Sequence, residues 1–536
     1  MSDVGGRLIR PCNLNSRSAV GAAAPIETTT EQILNCLPDN PRSILPGSIV
    51  EMLHPDGFVE RTLTLGKACP ETLLPGGVGR EASGPAGLVI LAPTVTECRS
   101  KGWLAHAVGS AAAGLGIDGV AYVLVPRVWR RSVRRLLVEA GLELELELLH
   151  LPDARRTRHL VPLDRTVLDY LSSVLLSAGS WEQRVLALAG RLPTALTRTL
   201  ASVGFVARPA EARPAFEWLY ELDDSVRARG PVVVSRSWHP LHAGLVLHRF
   251  GHGASLPSAI AKLRLDGDGA DQTLREAETL TRLRPHATAA GAEVPRPLAL
   301  ARVGTRPVLL ETALRGQPAA LALRSNPRRL VDVLEHVVEW LVRWHKLTGA
   351  SAPLTRPQLE RELVRPAAEL AAAVGGGETY AAWISRRCVE SEGRPMPRVA
   401  VHNDLTMWNV LLDEDAGFAV VDWEGAEGSA LPLGDFYYAA VDAVSAVHGY
   451  RSRLAAFEDC FAPEGEHART VARLRAPLLD VLDLTRAQAE LCFHACWLRQ
   501  ATDPRRAGRT SDREPFLEIV ARIAQDTANA RRYAAV

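Results

Sequence analysis

The sequence predicts an open α/β sheet in its N-terminal half, followed by an α+β domain of different construction. Three observations support this division. Apolar strands alternate with helices from about residue 46 to residue 200. A stretch rich in Pro, Arg and Glu follows at 206–230, a composition that is typical of a linker. Beyond it nothing repeats the first half, and a group of polar residues stands between apolar strands near residue 404.

The strands and helices of the N-terminal half follow from hydrophobic periodicity. Residues 88–91 and 120–125 are short apolar runs, which predict buried strands. Helices are expected at 99–113 and 129–140, and residues 142–148 alternate Leu with Glu as a half-exposed strand does. The order strand, helix, strand, helix, strand predicts a Rossmann-like sheet, which loosely resembles part of a methyltransferase fold.

A glycine motif in this half has two possible interpretations. Gly114, Gly116 and Gly119 fit the GxGxxG pattern of dinucleotide-binding and S-adenosylmethionine-binding loops. Such a loop follows a strand and begins a helix, so that backbone N–H groups face the ligand. Here the glycines end a predicted helix and precede a predicted strand, which is the position of a helix C-cap and turn. We therefore predict a turn, with a cofactor loop as the alternative.

The composition is that of an ordinary globular protein. Of the 536 residues, 47% are hydrophobic and 23% are charged, and a chain of this length is too long for a single core. The 62 basic and 61 acidic side chains leave a formal charge of +1. No nucleic-acid or anionic-membrane partner is therefore expected. Nothing in the composition indicates an oligomeric state.

The cysteines and the apolar runs bear on the protein's environment. The eight cysteines are scattered without a CxxC pair, which favours buried free thiols over disulfides or a zinc site. Residues 1–16 are polar and contain no signal sequence, and the longest apolar runs, such as 87–93, are too short for a bilayer span. We predict a loose leader over 1–45 and a cytoplasmic protein without a membrane span.

A polar loop near residue 404 carries the functional prediction. His402, Asp404 and Asn409 have the spacing HxDxxxxN of a kinase catalytic loop. This chemistry needs an Asp that accepts the proton of an attacking hydroxyl, and an Asn whose amide oxygen binds Mg²⁺. Asp422 ends a following apolar strand, where a carboxylate can hold Mg²⁺ against the β- and γ-phosphates. Singly, each residue could be a polar turn residue. Their order and spacing together favour chemistry.

These motifs resemble the aminoglycoside phosphotransferase and choline kinase family, in which HxDxxxxN precedes an Asp-Trp-Glu-like triplet, here residues 422–424. The resemblance spans about 230 to 510 and includes residues 341–349, which resemble the first helix of the large lobe. It implies a two-lobed, protein-kinase-like fold and the use of ATP and Mg²⁺. It also implies that Asp435 supports the catalytic loop without reacting.

The same resemblance implies where the nucleotide binds. Residues 294–298 and 308–316 resemble the strand and hinge that hold adenine, which implies cofactor contacts at Glu311 and Ala313. Two departures from the family pattern stand out. Asn403 replaces the usual Gly or Arg, although Asn tolerates a left-handed backbone. The expected phosphate loop, 235–244, is poor in glycine.

Lys262 is the candidate phosphate-binding lysine of the small lobe. It lies in an apolar strand, and only three other lysines, Lys67, Lys101 and Lys346, occur in the chain. In a kinase this ammonium contacts the α- and β-phosphates and is positioned by a glutamate on a helix. Glu276 is the expected partner because it falls on the buried face of its helix. An exposed surface lysine is the alternative.

Trp408 and Trp423 could bind a substrate or serve as packing, and the acidic Glu424 and Glu427 beside them are equally open. The predicted domains are an α/β domain at 46–205, a linker at 206–230, a small lobe at 231–315 and a large lobe at 316–536.

The sequence thus predicts an ATP- and Mg²⁺-dependent kinase that phosphorylates a hydroxyl of a small molecule. The acceptor could be an aminoglycoside, another sugar, a choline-like alcohol or a natural-product intermediate. Two alternatives remain: a pseudokinase or scaffold that serves the N-terminal domain, and a bifunctional methyltransferase-kinase.

Overall fold

A computed structural model of the protein describes residues 53–54, 62–65, 85–100, 102–151, 159–171, 202–223, 229–236, 244–264, 269–303, 306–413, 417–503 and 510–525. They belong to one compact unit, Ile44–Val536. The predicted leader at 1–45 lies outside the described residues. Five cysteines in these ranges are buried free thiols, in agreement with the sequence: Cys98, Cys388, Cys460, Cys492 and Cys496.

The strands described up to residue 312 form one sheet. Its described strands are β1 Thr62–Leu65, β2 Ala86–Leu91, β3 Leu115–Pro126, β4 Leu142–Leu151, β5 His159–Pro162, β6 Ser202–Pro209, β7 Arg229–Arg236, β8 Gly244–Gly251, β9 Pro257–Arg264, β10 Pro297–Val303 and β11 Arg306–Thr312. They are arranged in the order β1-β2-β3-β6-β4-β5-β7-β8-β9-β11-β10.

The sheet is mixed, so the Rossmann-like arrangement predicted for the N-terminal half is not confirmed. Only β1, β2 and β3 are parallel. β6 lies between β3 and β4 and is antiparallel to both. The chain reaches this central position only about 50 residues after the end of β4. Local hydrophobic periodicity does not report such a distant pairing.

The described helices of the N-terminal half include the two that were predicted, at 99–113 and 129–140, and two that were not. They are α1 Val95–Arg99, α2 Trp103–Gly114, α3 Arg130–Glu139 and α4 Arg165–Tyr170. The helix predicted at 99–113 begins later, at Trp103 of α2, because Gly102 before it has a left-handed backbone, with φ of 82°. The N-terminus of α1 has a capping box formed by Thr94 and Glu97.

The GxGxxG motif lies where the sequence placed it, between a helix and a strand. Gly114 is the last residue of α2, and Gly116 and Gly119 belong to β3. A Cβ at Gly119 would stand 2.8 Å from the Ala86 carbonyl oxygen of the neighbouring strand. The glycines therefore permit close strand packing, and none of them begins a helix as a cofactor loop would.

The predicted linker contains ordered structure that joins the two halves of the sheet. It holds the end of β6, the start of β7 and helix α5, Glu217–Glu221, between them. The backbone N–H of Ala215 donates to the Glu145 carboxylate at 2.9 Å. At the other end of the segment, the fully buried Arg249 of β8 pairs with Asp223 at 2.8 Å. The segment is thus attached to both halves.

One apolar layer covers a face of the sheet on both sides of this segment. It includes Leu88 and Tyr122 in the N-terminal half, Trp218 in α5, and Leu247 and Leu310 in strands further along the chain. Because these residues form a single cluster, the N-terminal strands and β7–β11 share a core. We call β7–β11 together with helix α6, Gly269–Ala289, the small lobe.

The large lobe is mainly helical. Its helices are α7 Ala319–Ser325, α8 Leu330–Thr348, α9 Arg356–Leu359, α10 Arg365–Leu370, α11 Gly377–Ser391, α12 Gly434–Val447, α13 Arg453–Phe461, α14 Ala468–Leu482, α15 Arg486–Thr502 and α16 Thr510–Gln525. A π-helical stretch, Glu360–Val364, lies between α9 and α10. Two small sheets complete the lobe, one of β12 Gln317–Pro318, β15 Val410–Asp413 and β16 Gly417–Val420, the other of β13 Ala350–Pro353, β14 Pro395–Val401 and β17 Glu427–Ala430.

Helix α12 is the centre of the large lobe, and its residues from Asp435 to Ala446 are all buried. It packs against α7, α8, α13 and α15. The connection from the small lobe passes through Gly316, whose φ of 115° excludes most side chains. Among the described helices, none is long and apolar enough to cross a membrane.

Candidate active site

The HxDxxxxN residues form a loop between β14 and β15 that rests on α12. The Asp435 carboxylate accepts hydrogen bonds from the backbone N–H groups of His402 and Asn403, both at 2.7 Å. Burial raises the pKa of Asp435, while His402 and these two N–H donors oppose the increase. The contact is the structural support that the resemblance implied for Asp435.

Asn403 has a left-handed backbone, with φ of 67°. This is the conformation for which the sequence offered Asn as a substitute for glycine. Its side-chain amide also donates to the Gly425 carbonyl at 2.9 Å, and its own carbonyl accepts from the Gln500 side chain at 3.0 Å. Asn403 therefore ties the loop to the turn after Asp422 and to α15.

Asp404 and Asn409 are in contact across the loop. The Asn409 side-chain nitrogen donates to the Asp404 carbonyl at 2.8 Å and lies 3.3 Å from its carboxylate oxygen Oδ2. Because the amide nitrogen faces Asp404, the amide oxygen is the Asn409 atom that can bind a cation. Both side chains are half-buried.

His402 connects this loop to the segment that carries Asp422. The Asp404 N–H donates to His402 Nδ1 at 3.3 Å, which leaves Nε2 to donate to the Val421 carbonyl at 3.0 Å. The Val421 N–H in turn donates to the Asn409 carbonyl at 2.9 Å. These bonds fix Asp422 beside the loop although it is 18 residues from Asp404 in sequence.

Asp422 occupies a turn just beyond β16. Its φ is 64°, an uncommon left-handed value for a residue other than Gly. Such strain often accompanies a functional constraint. The carboxylate is 40% exposed, and its Oδ1 lies 3.5 Å from the Lys262 ammonium of the small lobe. Asp422 therefore stands where the two lobes meet.

Lys262 is surrounded by carboxylates. Its Nζ lies 2.6 Å from Glu276 on α6 and 3.2 Å from Glu311 on β11. Burial alone would lower the pKa of Lys262, but Glu276, Glu311 and Asp422 outweigh it and raise that pKa well above its ordinary value. Burial raises the pKa of Glu276 to about 7 despite the attraction of Lys262.

The two residues expected near adenine differ in their surroundings. The side chain of Glu311 contacts Lys262, and burial raises its pKa. Ala313 follows β11, and its N–H donates to the Ser258 carbonyl at 3.3 Å. It lines an open cavity of about 510 Å³ between residues 253–258 and 313–315.

The structure describes only the two ends of the predicted phosphate loop at 235–244. Ser235 and Arg236 belong to β7 and Gly244 begins β8, while 237–243 lie outside the described residues. Ser235 shares a 2.9 Å hydrogen bond with the Nδ1 of His159, a residue of the N-terminal half. The strand that leads into this loop is therefore held by the neighbouring strand β5.

The aromatic and acidic residues near the motif have structural partners. Trp423 is buried and packs edge-on against His402 and Trp344, so it belongs to the core and does not face a substrate. Glu424 pairs with Arg264 of the small lobe at 2.5 Å. Glu427 pairs with Arg499 of α15 at 2.7 Å. Trp408 is half-buried against the large-lobe core.

Asp442 is a further loop-supporting residue, which the sequence analysis did not identify. Its Oδ2 accepts from the Met407 N–H at 2.7 Å and from the Tyr450 hydroxyl at 3.1 Å, and its Oδ1 pairs with Arg453 at 3.1 Å. The signal was present, because Asp442 is an acidic residue in an otherwise apolar helical run.

The ligand chemistry of the site suits a hard cation held jointly with a substrate. Over the described part of the chain, no group of three or more His, Cys, Asp or Glu could hold a metal ion. Mg²⁺ commonly binds through one or two protein oxygens together with phosphates and water. The Asn409 amide oxygen and the Asp422 carboxylate provide that kind of ligand set.

Comparison with known proteins gives one match to a family and several to solved structures. The aminoglycoside phosphotransferase APH(3'')-Id from Streptomyces rimosus is 18% identical, over 47% of this chain and 88% of that one, with a TM-score of 0.32. A GDP complex of aminoglycoside 2'-phosphotransferase-IIIa is 13% identical, over 58% and 97%, with a TM-score of 0.38. Macrolide 2'-phosphotransferase type I is 12% identical, over 57% and 96%, with a TM-score of 0.34.

At these identities and TM-scores, the structural likeness by itself establishes no substrate for this chain. No curated protein sequence matches it significantly. The model of the phosphotransferase enzyme family matches residues 249–428. This range includes the HxDxxxxN motif and residues 422–424, on which the resemblance was based, and the match confirms the resemblance there. From residue 249 to residue 428, the chain is therefore similar to the phosphotransferase enzyme family.

Proposed function

We propose that the protein is an ATP- and Mg²⁺-dependent phosphotransferase that moves the γ-phosphoryl group of ATP to a hydroxyl of a small molecule. The observation that carries the proposal is a continuous set of contacts between the two lobes. Asp404 contacts Asn409, the Asn409 backbone bonds to Val421, and the adjacent Asp422 lies 3.5 Å from Lys262. These contacts bring together the residues that we propose as the base, the two cation ligands and the phosphate-binding cation.

Asp404 is the proposed general base. A carboxylate can accept the proton of an acceptor hydroxyl as that oxygen attacks the γ-phosphorus. The contacts of His402 and Asn409 hold the loop backbone at Asp404. Asp435 on α12 supports the loop by accepting the His402 N–H. Positioning of this kind contributes most of the catalysis in phosphoryl transfer, because the protein does little covalent chemistry.

Asn409 and Asp422 are the proposed Mg²⁺ ligands. When bound, Mg²⁺ would offset the charge of the β- and γ-phosphate oxygens. Lys262 would contact the α- and β-phosphates from the other lobe. Since Lys262 already faces Asp422, both positive groups would act on the same part of the nucleotide.

The acceptor is a small molecule that offers a hydroxyl. An aminoglycoside, another sugar, a choline-like alcohol and a natural-product intermediate are the candidate classes. A phosphotransfer screen of the full-length protein against these classes tests the proposal, with ATP and Mg²⁺ present and acceptor-free reactions as the control. We expect acceptor-dependent loss of ATP and a product that is one phosphoryl group heavier by mass spectrometry. A protein that binds ATP and transfers phosphate to none of these classes would support the scaffold alternative.

A further inference from the structure

Lys262 differs from a lysine held by a single helix glutamate, because a second buried carboxylate reaches it from a strand. Glu276 and Glu311 are 5% and 4% exposed, and both contact the same ammonium. Asp422, at 40% exposure, is the third carboxylate nearby. The two buried groups therefore differ from Asp422, which is partly exposed to solvent and belongs to the large lobe.

The strand register explains how Glu311 reaches the lysine. β9 and β11 are antiparallel neighbours, and Leu309 is opposite Lys262 while Glu311 is opposite Ile260. Leu309 and its opposite residue Lys262 point to the same side of the sheet. Glu311 is two residues from Leu309 on the same strand and shares its face, so Glu311 and Lys262 also project to the same side. The position of Glu311 relative to Lys262 is consequently set by backbone hydrogen bonds between strands.

Glu276 is held differently, through packing of a helix. It lies on α6, which packs against β11 and against the turn Trp423–Gly425 of the large lobe. A helix in this place can shift relative to the sheet, and in protein kinases its position controls the lysine–glutamate pair. The strand contact made by Glu311 does not depend on such a shift.

We propose that Glu311 is a second positioning residue for Lys262, which holds the ammonium in place independently of α6. An ammonium has three N–H donors. With Glu276 and Glu311 accepting two of them, the third is directed toward Asp422 and the catalytic loop, where the proposed function places the phosphates. The inference extends that proposed function from the one expected partner of Lys262 to two.

One of the Glu311 oxygens supports a role beyond packing. Glu311 Oε2 is buried and has no hydrogen-bond partner, while the contact to Lys262 is made through Oε1. A buried carboxylate with an unsatisfied oxygen is costly unless a nearby cation compensates it. Lys262 is that cation, so the burial of Glu311 depends on its contact with the ammonium.

Two carboxylates with the same task should substitute for each other, and double-mutant cycles measure this. The variants are Glu276→Gln, Glu311→Gln and the double variant, with Glu278→Gln as the matched control because Glu278 is exposed on the same helix. Each single change should weaken ATP binding by no more than about fivefold, and the double change by more than about fiftyfold, which exceeds the product of the two.

A second measurement is independent of nucleotide. The chain has only four lysines, so acetylation of Lys262 by acetic anhydride can be followed by peptide mass spectrometry against the exposed Lys346. A carboxylate-bound ammonium reacts slowly, because only the neutral amine is a nucleophile. We expect a small rise in the Lys262 rate for each single variant and a rise of more than about fiftyfold for the double variant, since each pKa unit changes the neutral fraction about tenfold.

The outcomes separate the two proposals. Glu311→Gln can be made in the unmodified protein and in Glu276→Gln. If it changes neither ATP binding nor the acetylation rate of Lys262 in either of them, the positioning role of Glu311 is wrong, whatever the activity. If the double variant does not fold, Glu276→Gln alone tests the inference. Complete loss of the protection of Lys262 from acetylation in that variant would leave no role for Glu311. Absence of ATP binding by the unmodified protein would overturn the proposed function, while the acetylation rates would still decide the inference.

Discussion

Asp435 and Asp442 hold opposite ends of the catalytic loop from one face of helix α12. They are seven residues apart, which is nearly two helical turns, so their side chains point in almost the same direction. Asp435 accepts the N–H groups of His402 and Asn403, and Asp442 accepts the N–H of Met407. The loop that contains Asp404 is therefore fixed on both sides of that residue by buried carboxylates.

Asp442→Ala should lower turnover and stability while leaving ATP affinity nearly unchanged. The substitution leaves the buried Met407 N–H and the half-buried Arg453 guanidinium without their Asp442 acceptor, which we expect to cost roughly 3 kcal/mol in the free energy of unfolding. A looser loop should reduce kcat by about 10- to 100-fold. Denaturant unfolding, steady-state kinetics and ATP titration check this. Asp442→Asn, which keeps an acceptor oxygen, should be milder, and full turnover in Asp442→Ala would contradict the role.

The proximity of some candidate site residues could be predicted from the sequence, because its determinants are local. The spacing of His402, Asp404 and Asn409 within one loop indicated residues that the structure brings together. The helix phase that favoured Glu276 over Glu278 corresponds to the observed contact with Lys262. These relationships depend on a few neighbouring residues, so a local pattern can express them.

What the sequence did not predict depends on distant pairing. The insertion of β6 between β3 and β4 pairs it with segments about 80 and about 60 residues earlier in the chain, and no local period reports this pairing. The contact of Glu311 with Lys262 arises from the register of β9 and β11 in the same way. The burial of Trp423 depends on its packing against Trp344, a helix residue about 80 positions earlier.

Asp404→Asn should separate binding from chemistry. Asparagine keeps the shape of the side chain and removes the carboxylate that accepts a proton. ATP and Mg²⁺ are assigned to Asn409, Asp422 and Lys262, so the dissociation constant for ATP should change little. Turnover should fall by roughly two to four orders of magnitude, the usual contribution of a positioned general base. Loss of ATP binding together with folded stability would instead make Asp404 a structural turn residue.

Asp422→Ala and Glu424→Ala should have different effects, although only one residue separates the two. Asp422 is the proposed metal ligand, so its loss should abolish measurable turnover. Glu424 is engaged with Arg264 in a pair that links the lobes, and its loss should leave nucleotide binding intact. Kinetics and ATP titration of both variants test this contrast. Retained turnover in Asp422→Ala would show that the metal assignment is wrong.

Removal of Mg²⁺ should weaken ATP binding. Asp422 and two buried glutamates surround Lys262, so an ATP polyphosphate without its cation would meet a surplus of negative charge at the proposed site. Calorimetric titration with Mg²⁺ and with a chelator compares the two affinities, and Ca²⁺ provides a control for divalent charge alone. Equal affinities in all three conditions would favour the scaffold function.

The N-terminal strands and the small lobe should unfold together, because they share one sheet and one apolar layer. Leu160 of β5 is opposite Val234 of β7, and both belong to that layer. Leu160 is 1% exposed, so Leu160→Ala should cost about 2–5 kcal/mol. Ile117→Ala is the control, since Ile117 is 80% exposed. We expect calorimetry to show that Leu160→Ala lowers the temperature of the same unfolding transition that ATP and Mg²⁺ raise, because ligand binding stabilises the unit to which the ligand binds.

The opposite outcome would be a separate transition at lower temperature that Leu160→Ala shifts and ATP does not affect. The N-terminal strands would then form a domain that is stable without the small lobe. The continuous core would then contribute little to the stability of the candidate active site.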